Sequence, residues 1–330
     1  MTTNVVEQSG ATSADAEGQD VLRDLYSDWA QIMATTPDLT MRLFRSIFDE
    51  WHQPTVEPEG VTYREDTVGG VPGIWCLPEG ADQAKVLLYT HGGGVAVGSA
   101  SSHRKLAAHV AKALGSVSFV LDYRRAPEFQ HPAQVEDGVA AFDALVASGI
   151  AAQDITAIGD SAGGNLAIAI ALSLKEQGKQ GPGRVVAFSP WLDMENKGET
   201  LVTNNDTDAL ITPELLEMIA GVLGGTVDPT NPLANPLYAD FAGFPRLYLT
   251  AGSSNRSWTT PPVWRSARPQ PGWTSRSPSG KGSSTSTRSL PGAPPSWPRS
   301  SSSSPPGTAS KQKATHPPSL PASERRRSPP

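Results

Sequence analysis

Residues 154–167, DITAIGDSAGGNLA, constrain the fold of this chain more than any other stretch. The run ITAI is apolar and rich in β-branched side chains, and NLAIAIALSLKEQ carries helix formers without a break. Between them lies Gly-Asp-Ser-Ala-Gly, so the stretch reads as strand, sharp turn and helix. Glycine is needed at Gly159 and Gly163 because the backbone turns tightly there and the helix must start close to the strand. G-x-S-x-G alone also occurs in ordinary Gly/Ser loops. With a strand before it and a helix after it, the pattern is a nucleophile elbow, and Ser161 is the candidate nucleophile.

The flanking sequence alternates in the same way. Residues 21–51 offer two amphipathic helical segments separated by Thr36-Pro37, a pair expected to cover a core and to roof a site. A hairpin is expected around Gly69-Gly70. Residues 86–89 are wholly apolar, as in a strand buried on both faces of a parallel sheet. His91-Gly92-Gly93-Gly94 follows directly, and three glycines in a row leave backbone N–H groups uncovered, able to face a developing oxyanion. HRKLAAHVAKALG, PAQVEDGVAAFDALVASG and TPELLEMIAGVLGG read as helices, and SVSFVL, RVVAF and PRLYLT as strands. The alternation predicts an α/β chain with a doubly wound, mostly parallel sheet. The single cysteine, Cys76, excludes an internal disulfide framework and a CxxC metal site, and a buried strand position is expected for it.

Four segments in this order, HGGGVAVGS, DYRRAPEFQHPAQVEDGVAAF, GDSAGGNLA and SPWLD, resemble the hormone-sensitive-lipase-like branch of the α/β-hydrolases, the carboxylesterases with an HGGG motif. The resemblance spans residues 21–253. It implies an α/β-hydrolase sheet with a helical cap, formed by the first helices and by residues 212–223. It implies Ser161 as nucleophile and an oxyanion hole made by the N–H groups of Gly93, Gly94 and Ala162. His91, Gly92, Gly159, Asp160 and Gly163 are implied as structural parts of the two motifs. Within the branch, the chain is most similar to the group that contains monoterpene ε-lactone hydrolases.

The pattern breaks near residue 254. Residues 254–330 hold 12 Lys/Arg against one acid, Glu324, a net of +11; residues 1–253 hold 15 against 32, a net of −17. Those 77 residues also contain 20 Ser and 16 Pro. The family places an acid just after the strand at residues 247–250 and a histidine about thirty residues later. Here no Asp follows Asp240, and the only histidine after His131 is His316. The triad acid and histidine are therefore absent from the sequence as written, and a serine without an imidazole base is a poor nucleophile.

Back-translation with GC-rich codons, read one frame away, yields ESLLDDATRVAERAPAAGVDVTLAEWEG for residues 255–281 and then QQHVYPFLAGRAPEL. That text holds an acid, an amphipathic helix, a strand and a histidine in the family's spacing. Its glutamate codon straddles Ser254 and Asn255, and its histidine codon straddles Ser284 and Thr285. The expectation is a shifted reading frame; the alternative is a genuine disordered Ser/Pro/Arg tail.

The expected organisation is a disordered stretch over residues 1–18, a hydrolase domain over 19–253 that is incomplete at its end, and a tail over 254–330. The expected function is serine hydrolysis of carboxylic esters or lactones, monoterpene ε-lactones among them. The competing reading is a catalytically inert small-molecule-binding module on the same fold. A small ester or lactone is the expected partner, with homo-oligomerisation admitted. No cofactor, metal, nucleic acid or membrane partner is expected, because no ligand spacing such as HExxH occurs and no apolar run is long enough to span a bilayer. The N-terminal residues lack a basic region followed by an apolar core, so a cytoplasmic location is expected.

Overall fold

The computed structural model describes residues 13–36, 38–204, 208, 210–222, 227–251 and 274–275. The chain divides into one unit spanning Met1–Gly280 and a second spanning Lys281–Pro330. The second unit lies outside the described residues, as does all of the Ser/Pro/Arg tail except Thr274 and Ser275.

An eight-stranded sheet carries the order β1-β2-β4-β3-β5-β6-β7-β8. β1 (Val61–Val68) and β2 (Val71–Pro78) form an antiparallel hairpin closed at Val68↔Val71, as Gly69-Gly70 led us to expect. β2 then pairs antiparallel with β4 (Ser116–Leu121). From β4 onward every pairing is parallel, through β3 (Asp82–Thr90), β5 (Ile155–Asp160), β6 (Arg184–Phe188), β7 (Arg246–Thr250) and β8 (Thr274–Ser275). Parallel neighbours require crossovers, and helices supply those among the inner strands.

These helices cover both faces of the sheet. On one face, Leu87, Tyr89, Val120, Ile158 and Cys76 pack against Ala107, Ala108 and Ala111 of α3 (Ala100–Leu114). On the other, Leu88, Phe119 and Leu121 pack against α4 (Ala133–Ala147) and α5 (Ala162–Glu176) through Phe142, Leu145, Ile170 and Leu174. Farther along that face, Ile168 and Leu172 of α5 meet Val185 and Leu247. The alanine stripe of α3 and the Ala/Ile pattern of α5 let helices lie close to a sheet that is apolar on both sides. A capping box between Ser99 and Ser102 starts α3. Cys76 is fully buried, its thiol donating to the Arg104 carbonyl at 3.4 Å, and burial pushes its pKa up to about 12.

The cap is built from α1 (Ser13–Thr35), α2 (Met41–Asp49) and α7 (Pro213–Val222). α1 ends at Thr35 and α2 begins at Met41, two helices as expected, but α1 starts at Ser13, where disorder was expected through residue 18. Its first residues, SADAEGQD, combine alanine with acids near the helix N-terminus, and both favour helix. Residues 1–12 lie outside the described residues. A second departure is β8, a strand within the stretch read as tail. It pairs with β7 through Tyr248↔Thr274 and Leu249↔Ser275.

On β7 the pattern alternates: Leu247 and Leu249 are buried, whereas Tyr248 between them is 42% exposed. Phe119 sits at the centre of the sheet with no exposed surface, its ring 5.0 Å from that of Trp75. Replacing it by alanine is expected to cost about 3–5 kcal/mol, because the surrounding sheet and helices collapse only partly into the vacated space. Urea unfolding of Phe119→Ala beside the parent measures it, and a loss below 1 kcal/mol would contradict this account of the core.

Candidate active site

Ser161 stands between β5 and α5 with φ +51° and ψ −124°, a conformation that a serine holds only under constraint. The constraint is visible. Ser161 N–H donates to the Phe188 carbonyl at 2.9 Å, and its own carbonyl accepts from Trp191 N–H at 3.0 Å and Asn165 N–H at 3.2 Å. The glycines on either side permit the turn. A Cβ on Gly159 would lie 2.4 Å from the Thr90 carbonyl oxygen, and one on Gly163 would lie 2.1 Å from the same atom. The elbow and the end of β3 are thus in direct backbone contact, which leaves no room for a side chain at either glycine.

The His91–Gly94 loop leaves β3 beside the elbow. A Cβ on Gly92 would lie 2.2 Å from Asp160 Oδ2, and one on Gly94 would lie 2.4 Å from Ile219 Cγ2 of α7. The Gly93 carbonyl accepts from Ala96 and Val97 N–H, which curls the loop. Val95, next in line, sits at φ +57°, a strained value for a β-branched residue. The N–H groups of Gly93 and Gly94 donate to no described group, and neither does that of Ala162 at the first position of α5. Three uncommitted donors therefore lie around the elbow. Unspent N–H groups at a helix start and a glycine loop suit a developing oxyanion.

Asp160 joins these two pieces. Its Oδ1 accepts from Tyr89 O–H at 2.8 Å and from Gly92 N–H at 3.2 Å, and its Oδ2 lies 3.4 Å from His103 Nε2. Burial by itself would raise this carboxyl; the facing His103 and the hydrogen bonds from His103 and Tyr89 more than offset it, so it titrates below the usual carboxylate range. His103 and Tyr89 carry no motif signal in the sequence. Tyr89 meets Asp160 only when β3 pairs with β5, and His103 only when α3 packs on the sheet.

His91 is fully buried. Its Nδ1–H donates to the Gly92 carbonyl at 2.7 Å, and its ring stacks on Tyr123 at 4.2 Å and 12°. Tyr123 O–H in turn donates to the His91 carbonyl at 2.8 Å. Desolvation, with neighbouring His103 adding to it, pushes the His91 pKa down to about 3. The ring is therefore neutral at physiological pH. Among the described residues no histidine is hydrogen-bonded to the Ser161 hydroxyl, and no group of three or more His, Cys, Asp or Glu could hold a metal ion. The positions that straddle the shifted-frame glutamate and histidine lie outside the described residues.

The cap closes over this arrangement. Trp29, Phe44 and Phe48 share a core with Ala96, Ala162, Trp191 and Ile219. Among the described residues no helix is long and apolar enough to cross a membrane. Beside Ala162 opens a half-open cleft, lined in part by Val95, His131, Leu166, Trp191 and Met194. Its walls are mostly apolar, as expected of a small-ligand site.

Two outcomes follow from this geometry. Gly163→Ala forces the new methyl onto two backbone carbonyls, and a loss of at least 1–3 kcal/mol is expected; unchanged urea stability would refute the close approach. For His91, the unfolded chain takes up a proton below about pH 6.5 that the folded chain refuses until about pH 3. This contribution to stability is intact above pH 6.5 and declines as pH falls, by at most about 1.4 kcal/mol per pH unit. Thermal unfolding between pH 7 and pH 4.5 should show a shallower decline in His91→Gln than in the parent, and equal slopes would count against it.

Residues 87–257 match the α/β-hydrolase fold family. An acetyl-hydrolase of Streptomyces hygroscopicus is 40% identical over 57% of this chain and 62% of its own length. An esterase of Acinetobacter venetianus is 33% identical over 66% and 71%. The chain thus spans a little over three fifths of the first of these relatives. Among solved structures, it is similar to an esterase from the bacterial hormone-sensitive lipase family, with TM-score 0.69, 36% identity, and 75% and 81% of the two chains covered. A hormone-sensitive lipase from a metagenome library gives TM-score 0.71 at 32% identity over 78% and 86%. With a match over half of its length and neighbours of this kind, the chain belongs to the α/β-hydrolase fold family, in its hormone-sensitive-lipase-like branch.

Proposed function

We propose that this chain is a carboxylic ester hydrolase working through an acyl-enzyme at Ser161. The observation that carries the reading is the strained Ser161 together with the N–H groups of Gly93, Gly94 and Ala162, which have no hydrogen-bond partner among the described residues. The relatives named esterase and acetyl-hydrolase support the same class. In the mechanism, Ser161 Oγ attacks the ester carbonyl carbon and its proton passes to an imidazole base. The three N–H groups hold the resulting oxyanion. The alkoxide leaves with the proton from the imidazolium, and water, deprotonated by the same base, releases the acid. Esters and lactones share the carbonyl chemistry this requires, and monoterpene ε-lactones are the narrower substrate we propose for test.

The base and the acid that orients it come, on this reading, from the shifted frame. Four observations support it. The family match ends at residue 257, close to the composition step. β8 pairs parallel with β7 across 23 intervening residues, a connection that calls for a crossover. The written residues there include Pro261, Pro262, Pro269 and Pro271, whereas the shifted frame encodes a helix former at most positions. Moreover, Thr274 and Ser275, which pair with β7, are the positions at which the shifted frame reads its strand, GVDVTLAEW.

A second reading, an inert small-molecule-binding module, is favoured by one observation: the sequence as written supplies no histidine after His131 except His316. Sequencing the DNA across codons 250–260 separates the two, since an uninterrupted frame encoding SSNRSWTT would overturn the restored triad. A chain carrying the restored frame should hydrolyse p-nitrophenyl acetate, lose that activity in Ser161→Ala, and lose about 10⁶-fold in kcat when its histidine is removed. The chain as written should stay near background. A fluorophosphonate probe that leaves Ser161 unlabelled in the restored chain would refute the acyl-enzyme.

A further inference from the structure

The cleft beside Ala162 holds one polar ring that the proposed chemistry leaves unused. Three polar side chains enter its walls: His131, Gln134 and Asn165. Both amide N–H groups of Asn165 and one of the two on Gln134 are already spent. Gln134 Nε2 donates to the Phe129 carbonyl at 2.8 Å, and Asn165 Nδ2 donates to the carbonyls of Trp191 and Ala234, both at 2.8 Å. The His131 ring makes no hydrogen bond among the described residues. It is half-buried, and burial holds its pKa below the ordinary imidazole value against the opposing influence of Glu136. At neutral pH it therefore offers one N–H donor and one lone pair.

The rest of the lining does not compete for a polar ligand. Val135, Leu166, Met194 and Leu233 present only apolar side chains, so an alkyl chain lying in the cleft gives the imidazole no hydrogen-bond partner. A buried polar group without a partner is costly, and one that gains a partner from the ligand recovers that cost. An oxygen on the ligand at the depth of His131 supplies such a partner. A pure hydrocarbon of equal length does not.

We propose that His131 makes this cleft selective for esters that carry a second oxygen, as a ketone, ether or hydroxyl, over alkyl esters of the same length. The inference rests on the reading of the cleft as the substrate pocket of Ser161, and names the class of substrate it takes. His131 is here a specificity residue that touches the non-reacting part of the ligand; it takes no part in proton transfer to Ser161.

The test measures binding, so that turnover does not enter. In the full chain carrying Ser161→Ala, calorimetry compares methyl hexanoate with methyl 3-, 4- and 5-oxohexanoate. At least one oxo ester should bind about threefold to tenfold more tightly than methyl hexanoate, the range of one neutral hydrogen bond. His131→Phe in the same background should abolish the preference, and His131→Gln should keep part of it. Circular dichroism of each variant confirms that it is folded, and the Gln variant guards against a Phe that does not fit. Equal binding of all four esters, no binding of any, or a preference that survives in folded His131→Phe would overturn the proposal. Fluorophosphonate labelling of Ser161 in the restored chain is read separately. Label without selectivity sinks the His131 inference alone, and selectivity without label sinks the acyl-enzyme alone.

Discussion

The Asp160 carboxylate is where three separate stretches of the chain meet. It ends β5 and precedes the nucleophile, accepts from Gly92 N–H at the root of the glycine loop, and faces His103 on α3. Hydrogen bonds to a charged acceptor are worth about 1.5–3 kcal/mol each in a buried setting. They are also directional, which matters more here. Tyr89 and Gly92 fix one oxygen and His103 faces the other, so the elbow and the glycine loop cannot move independently. The distance between a nucleophile and its oxyanion donors is thereby set by a rigid group rather than by two free loops.

Strain accumulates around that anchor. Ser161, Val95 and Ser189 are all non-glycine residues at positive φ; Ser161 and Ser189 directly follow β5 and β6, and Val95 lies in the glycine loop that follows β3. Each such residue costs on the order of 1–3 kcal/mol and persists only where its surroundings over-determine it. The surroundings do so. Ser189 N–H is held by the Thr250 carbonyl at 2.6 Å, and Ala126 N–H is held by the Val95 carbonyl at 2.9 Å. The cap adds weight from above: Ile219 lies against Gly94, and the Trp29 ring packs at a tilt against Phe48 at 4.7 Å and edge-to-face with Trp51 at 5.8 Å. The cap is therefore part of what keeps the loop curled as well as a roof over the cleft.

Much of this was legible in advance. The inner strands, α3, α4 and α5 follow from short apolar runs and unbroken helix formers, and Gly159 and Gly163 could be placed because only glycine tolerates such an approach. The early start of α1 is hard to read from sequence because SADAEGQD is polar like a disordered segment while its alanines and acids favour helix. β8 was missed because Thr274 and Ser275 lie in a Ser/Pro/Arg stretch that reads as a tail. The roles of Tyr89, His103 and Tyr123 left no trace at all. Each is an unremarkable residue in a strand, helix or loop until packing brings it to Asp160 or His91.

By itself, then, the sequence determined what is local: a strand that turns through Ser161 into a helix, a run of glycines with exposed N–H groups, and an abrupt change of composition near residue 254. Local signals suffice there because turn geometry and binary patterning act over a few residues. Only the tertiary structure decided which groups face one another. It set His103 against Asp160, 57 positions away, left His131 in the cleft beside Ala162 without a hydrogen-bond partner among the described residues, and laid Ile219 of the cap over Gly94. Those pairings depend on how α3, α4 and α7 dock on the sheet, and docking is settled by the summed fit of many side chains rather than by any one motif.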